Sequence, residues 1–150
     1  MVANNTRRNV KGTPKISRFL APPTKARARI MRAIKGRGNM TTEVALATAL
    51  RASRVSGWRR HQPLPGRPDF AFPARKLAVF VDGCFWHACP RCYKAPSVNH
   101  RFWAQKAEAN RARDKRVTRE LRSRGWSVIR IWEHQLEAPE RVIKKIAAAL

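Results

Sequence analysis

Acid is what this chain has least of. Its 150 residues hold 9 Asp+Glu against 33 Lys+Arg, a formal net charge of +24, and the first 42 residues carry eleven Lys+Arg and no acid. That excess is far beyond what solubility needs. It points to a polyanionic partner, nucleic acid first, with a ribosome-associated or generally sticky basic protein as the plain alternative. Long apolar runs are missing too. No segment approaches the ~18 consecutive apolar residues of a membrane-spanning helix. The N-terminus lacks the apolar stretch of a signal peptide. Cysteine is scarce, and the count of three is odd. All three crowd one loop, which argues against a disulfide framework and for thiolates in a reducing compartment. These absences lead to the expectation of a cytoplasmic, nucleoid-associated monomer with no membrane contact. The length suits a single core.

What is present has a readable order. Residues 1–30 read as a disordered basic arm, interrupted by Pro14, Pro22 and Pro23. Such an arm either tracks a phosphate backbone or is a solvated tail. "TKARARIMRAIKGRGN" suggests a short basic helix ending at Gly36 or Gly38. One folded domain is expected over residues 31–150. "TTEVALATALRAS" reads as a helix capped by Thr41 or Thr42, with Leu46, Ala47 and Leu50 inward and Glu43 on the same face. Turn signals fill "LPGRPDF". "DFAF" and "LAVFVD" read as short strands joined by "PARK". Residues 100–125 suggest a long helix with a stripe of Phe102, Ala109, Val117 and Leu121, stopped by Gly125. "WSVIRIW" reads as a buried strand, and "PERVIKKIAAAL" as a helix with Pro139 in its first turn. The order predicts a mixed α/β sheet flanked by helices. We find no internal repeat.

The scarce reactive residues gather in "FVDGCFWHACPRC". Cys84, Cys89 and Cys92 are spaced C-x4-C-x2-C, and the last pair resembles a zinc knuckle. A structural Zn²⁺ wants a fourth ligand, with His134, His87 and His100 as candidates. If "WSVIRIW" runs beside "LAVFVD" and parallel to it, both end at one sheet edge and His134 meets the loop. Such a zinc would order a loop that cannot bury enough apolar surface to order itself.

With acids so rare, each one is informative. Asp69 starts one strand, Asp82 closes the next, and Glu43 points inward from the first helix. Three hard carboxylates suit Mg²⁺, which stabilises phosphate charge and activates water. This arrangement resembles the PD-(D/E)xK nuclease fold, although Cys84 stands where that pattern has lysine. His87, close to Asp82, is either a base for the attacking water, a residue backing the zinc ligands, or an exposed loop histidine. Phe85 and Trp86 cannot both face one core, so at least one is available to wedge between base pairs. Trp103 joins them or belongs to a small core around the zinc.

Taken together, "MRAI", "LPGRPDF", "VFVDGCFWH", "FWAQKAEANRARDKR" and "GWSVIRIWE" resemble the very-short-patch repair (Vsr) DNA mismatch endonucleases, in the family's order over roughly two-thirds of the chain. The resemblance implies a PD-(D/E)xK-like fold with a structural zinc. It implies an enzyme that nicks double-stranded DNA beside the T of a T:G mismatch left by 5-methylcytosine deamination. By matching position, Asp69 and the carbonyl of Val81 would bind Mg²⁺, His87 would activate water, and Glu43 would support the site. Phe85, Trp86 and Trp103 fall on the aromatics that wedge into DNA, and Cys84, Cys89, Cys92 and His134 on the zinc ligands. Val81-Asp82 replaces Thr-His of the family pattern, so Asp82 is expected to bind metal directly. Cys89 falls where that pattern has His, His134 falls where it has Cys, and the knuckle is one residue longer. The competing readings are a restriction or defence nuclease of the same fold and a non-catalytic zinc-containing DNA-binding module.

Overall fold

The core builds on alternation. In "LAVFVD" Leu77, Val79 and Val81 alternate with Ala78 and Phe80, so both faces are apolar up to Asp82, as a strand covered on two sides requires. The computed structural model describes residues 42–150. The basic arm and the short helix before Gly38 lie outside these residues.

Helix α1 spans Glu43–Ala52, with Thr42 at its N-cap position and Glu43, Leu46, Ala47 and Leu50 buried, the face that the spacing expects. A two-residue strand β1 (Arg59–Arg60) follows, then β2 (Phe70–Phe72), a 3₁₀ turn (Pro73–Arg75) and β3 (Leu77–Asp82). Helix α2 (His100–Ser123), strand β4 (Ser127–Trp132), a second 3₁₀ turn (Glu133–Glu137) and helix α3 (Pro139–Ala147) complete the chain. The sheet order is β1-β2-β3-β4. The first two pairings are antiparallel. The pairing of β3 with β4 is parallel and runs from Leu77↔Ser127 to Asp82↔Trp132. Short "PARK" therefore makes a hairpin, whereas the parallel return needs the whole of α2.

One sheet face buries Phe70, Phe72, Leu77, Val79, Ile129 and Ile131 against Leu46 and Leu50 of α1 and Val142, Ile143 and Ile146 of α3. On the other face Ala78 and Phe80 meet Val117 and Leu121 of α2. Truncating any of these large side chains to Ala costs about 2–5 kcal/mol. The inward stripe of α2 differs from expectation. It is Trp103, Ala107, Asn110, Val117 and Leu121, whereas Ala109 is exposed and Phe102 only half-buried. Gly125, at φ 77, ends that helix as expected. Among the described residues, no helix is long and apolar enough to cross a membrane.

The "LPGRPDF" turn is the piece of the fold that serves the site most directly. Gly66 has φ +72, and a Cβ there would lie 2.3 Å from Val117 Cγ1. Only glycine lets this turn press onto α2. That contact sets Asp69 at the mouth of β2.

Candidate functional site

Because β3 and β4 run parallel, their C-terminal ends share one edge, and the residues after them face each other. The loop after Asp82 and the turn after Trp132 bring four donors together. His134 Nδ1 lies 3.2 Å from Cys84 Sγ, 3.6 Å from Cys89 Sγ and 3.4 Å from Cys92 Sγ. All four ligand atoms fall within 4.8 Å of one another, close enough to hold one metal ion. Backbone bonds shape the loop, with Cys89 N–H donating to the Cys84 carbonyl (2.9 Å) and Tyr93 N–H to the Cys89 carbonyl (2.9 Å). Glu133 Oε2 accepts from the Cys84 N–H at 3.2 Å, which ties the loop to the end of β4. Burial pushes the Cys84 thiol up to about 11. At Cys89 burial acts the same way, but the N–H groups of Arg91 and Cys92 outweigh it and hold the thiol below its ordinary value.

Beside this group lies a groove of about 450 Å³, whose lining includes Glu43, Asp69, Asp82, His87, Asp114 and Arg130. Asp69 Oδ2 accepts from the Val81 N–H at 2.7 Å. Burial raises the Asp69 carboxyl to about 6 against the pull of that N–H, with Glu43 and Asp82 pushing the same way as burial. Glu43 is buried, and its Oε2 pairs with Arg60 of β1. Asp82 is 4 % exposed. Both its oxygens are engaged: Arg130 Nε donates to Oδ2 at 2.7 Å and Nη2 to Oδ1 at 2.6 Å.

His87 sits between two acids. Its Nδ1 is 2.6 Å from Asp114 Oδ2 and 3.6 Å from Asp82 Oδ1. Arg130 Nη2 also reaches Asp114 Oδ1 at 3.0 Å, and its guanidinium stacks 4.8 Å from the Phe80 ring centroid. Burial alone would raise Asp114, but the His87 hydrogen bond and the Arg130 charge hold it below the usual carboxylate range. Asp82, His87 and Asp114 form a second group with atoms close enough to share a cation.

The aromatics form one cluster. The Phe85 ring meets Trp86 at 5.3 Å, Tyr93 at 5.9 Å and Trp103 at 5.2 Å. Trp103 is buried at 7 % exposure while Phe85 is 37 % exposed. Trp86 lines the groove, and its carbonyl accepts from Asn110 Nδ2 at 2.6 Å.

The site residues read from the sequence border this groove, the four-donor group or the aromatic cluster, whereas His100, a candidate fourth ligand, opens α2 outside the four-donor group. Three participants were not read from the sequence. Asp114 and Asn110 fill polar positions of the α2 stripe, and Arg130 is the one charged residue inside the apolar run of β4. A 3,4-spaced count from Val117 back through Asp114, Asn110 and Ala107 is the signal that finds the first two.

A groove of inward acids, an imidazole backed by a carboxylate and a strongly basic surface describes a nuclease. Residues 22–94 match the family model described as DNA mismatch endonuclease Vsr. The type II nicking enzyme V.NaeI of Lentzea aerocolonigenes is 38% identical over 122 residues, covering 78% of this chain and 73% of that enzyme. The DNA mismatch endonuclease Vsr of Escherichia coli (strain K12) is 36% identical over 118 residues, covering 77% and 74%. The type II nicking enzyme V.HpaIIP of Haemophilus parainfluenzae is 34% identical over 128 residues, covering 83% and 90%. The chain belongs to the Vsr family, and it is an endonuclease that hydrolyses phosphodiester bonds in DNA.

Proposed function

We propose that this endonuclease nicks one strand of duplex DNA at T:G mismatches arising from 5-methylcytosine deamination, with Mg²⁺ in the groove and Zn²⁺ in the loop. The observation that carries the reading is the half-buried, cation-starved Asp69 beside the His87–Asp114 pair and the aromatic cluster. Among the described residues Asp69 is the groove carboxylate whose charge is not matched by an arginine, so its raised carboxyl is where a divalent cation relieves the most electrostatic cost. Val81 presents its carbonyl to the same strand edge as the N–H that meets Asp69, since N–H and C=O of a strand residue share a side. Asp69 and the Val81 carbonyl would hold the ion, and Mg²⁺ there supplies charge neutralisation at the scissile phosphate. Glu43 stands at that end of the groove from α1, paired with Arg60, and adds to the electrostatic cost at Asp69. Asp82 faces the same space, but Arg130 engages both of its oxygens, which favours a role in fixing Arg130 and His87 over direct ligation.

With Nδ1–H donating to Asp114, His87 keeps Nε2 to accept a proton from the attacking water. Asp114 fixes the ring and stabilises the imidazolium that forms, the role of the third member of a triad. The four-donor group suits zinc. Tetrahedral Zn–S and Zn–N bonds imply S···N edges of about 3.6 Å, close to those in the loop. Departures from the family pattern keep the ligand count and exchange Cys for His at two places. These features support a PD-(D/E)xK-type site with a stapled recognition loop.

Mismatch preference rests on the aromatics. A mispaired step is easier to unstack, so inserting Phe85 and Trp86 costs less there than at a matched step. Phe85 is the exposed edge from which the cluster opens, and Trp103 supports it from α2. The test uses end-labelled T:G and C:G duplexes in varied flanking contexts, with Mg²⁺ or chelator. Mg²⁺-dependent cutting of one strand at T:G only is expected, and Trp86→Ala should narrow the gap between the duplexes. Equal cutting of both duplexes would move the assignment to a restriction or defence nuclease. Tight binding without cutting in any context would move it to a DNA-binding module.

A further inference from the structure

The groove does not end at Asp69. On the far side of that carboxylate a second hollow of about 500 Å³ shares Glu43, Gly66, Arg67 and Asp69 with the first and adds His61, Gln62 and Pro63. The two are one trough, with the proposed metal carboxylate at the waist.

Charge distinguishes the junction of the two hollows. The other arginines of the trough and its walls are engaged: Arg60 by Glu43, Arg130 by Asp82 and Asp114, and Arg113 by Asp114. Arg67 is exposed and has no carboxylate within ion-pair distance among the described residues. His61 is exposed as well. Both stand in left-handed backbone, Arg67 at φ 51 and His61 at φ 53, which side chains other than glycine rarely adopt. Strain of this kind persists only where the surroundings impose it. At Arg67 the imposing contacts are visible. Gly66 is pressed onto Val117, Pro68 follows, and the Arg67 N–H closes a turn onto the Leu64 carbonyl at 2.9 Å. The chain thus fixes the backbone that carries an uncompensated guanidinium, two residues from Asp69. A cation at the waist of the trough and an imidazole beyond it, next to an acidic centre, fit an anion placed beside the one at Asp69.

We propose that this second hollow binds the phosphodiester next to the scissile one on the cleaved strand, with Arg67 as its charge partner and His61 as a hydrogen-bond donor. The proposal rests on the nuclease reading above and extends it. Arg67 then sets where along the strand the scissile phosphate stops, so that the phosphate at Asp69 and not its neighbour is cut.

The test uses duplexes carrying a single uncharged methylphosphonate at each phosphate within three of the nick. Equilibrium binding in Ca²⁺ and single-turnover cleavage in Mg²⁺ are measured for wild type, Arg67→Asn and Arg67→Lys. Asparagine tolerates left-handed backbone, so the first variant removes charge without forcing the turn. One methylphosphonate adjacent to the nick should weaken wild-type binding by about 10-fold and cost Arg67→Asn nothing further. The salt slope of log K should fall by about one in Arg67→Asn and return in Arg67→Lys. Arg67→Asn that responds to every methylphosphonate as wild type does, or that keeps the wild-type salt slope, overturns the proposal. Failure of the nuclease reading looks different, as wild type would not cut the unmodified duplex, and the binding arm would still report on Arg67.

Discussion

Two sites sit within a few residues of each other in this molecule, and they treat charge in opposite ways. The cysteine loop gathers three thiols and an imidazole with no positive side chain among its four donors. The groove gathers four acids and already neutralises three of them, Glu43 with Arg60 and Asp82 and Asp114 with Arg130. The loop brings its four donors close enough to close around one ion. The groove pairs these three internally and leaves Asp69 without an arginine among the described residues, which is why the catalytic cation is proposed there. A structural metal becomes part of the fold, whereas a catalytic metal has to leave room for substrate.

Removing the zinc proposed for the loop is the strongest way to break that contrast. Cys89→Ser, or strong chelation of the wild type, should abolish cooperative unfolding of the loop and lower the melting temperature sharply, with one zinc per chain lost in native mass spectrometry. Removing Mg²⁺ should stop cleavage and leave the melt nearly unchanged. A cleanly folded, zinc-free protein would end the structural-zinc assignment. Equal thermal sensitivity to loss of either metal would erase the distinction between the two sites.

Next in size is the imidazole. His87→Ala should slow cleavage on the order of 10²–10⁴, the usual worth of a positioned general base. Asp114→Asn keeps the shape of the partner and removes its charge, and should cost ~10–100-fold, as expected of a group that orients rather than transfers. The two effects should be far from additive in the double variant. Full additivity would mean that the 2.6 Å contact between them does no joint service.

The sequence exposed the loop far more readily than the groove's wiring, for physical reasons. Cysteines at knuckle spacing have few other uses, and parallel pairing of β3 with β4 is enough to select His134. Asp69, Glu43 and Asp82 stood out because acids are rare here. Asp114 did not, because it lies in a helix crowded with charge and its stripe carries polar residues where an apolar count expects packing. Asn110 and Asp114 break the amphipathic pattern because they hold the Trp86 carbonyl and His87, and local rules fail most often at such functional positions. Strand β1 has no apolar signature and exists through its pairing with Phe70 and Ala71. Arg130 was hidden by position alone, as nothing in "SVIRIW" says which acids stand across the sheet edge.

Arg130 tests the groove's self-sufficiency more gently. Arg130→Gln leaves Asp82 and Asp114 facing His87 without their shared cation. The cost should be about 2–4 kcal/mol in denaturant melts, because a buried carboxylate loses its partner. Asp82→Asn in the same chain should recover part of that loss, and a double-mutant cycle measures how much. Independent effects would mean that the bidentate contact is incidental to stability.

The smallest effect concerns Asp69 itself, and its sign is the informative part. Its folded carboxyl is raised to about 6, against an unfolded value near ~3.9. A raised acid contributes stability while protonated and loses it as pH climbs from the unfolded to the folded value. In magnesium-free, zinc-loaded protein at neutral pH, the charged Asp69 is therefore a liability. Asp69→Asn keeps an oxygen for the Val81 N–H and removes the charge, so it should be more stable than wild type by about 1–3 kcal/mol near pH 7.5. The advantage should shrink as pH falls toward about 5 and flatten above about 7. Mg²⁺ should close the gap by stabilising wild type alone, while cleavage by the variant stays near zero. A variant less stable than wild type at neutral pH, or a gap that ignores both pH and Mg²⁺, would show that Asp69 is not the unpaired charge of the groove.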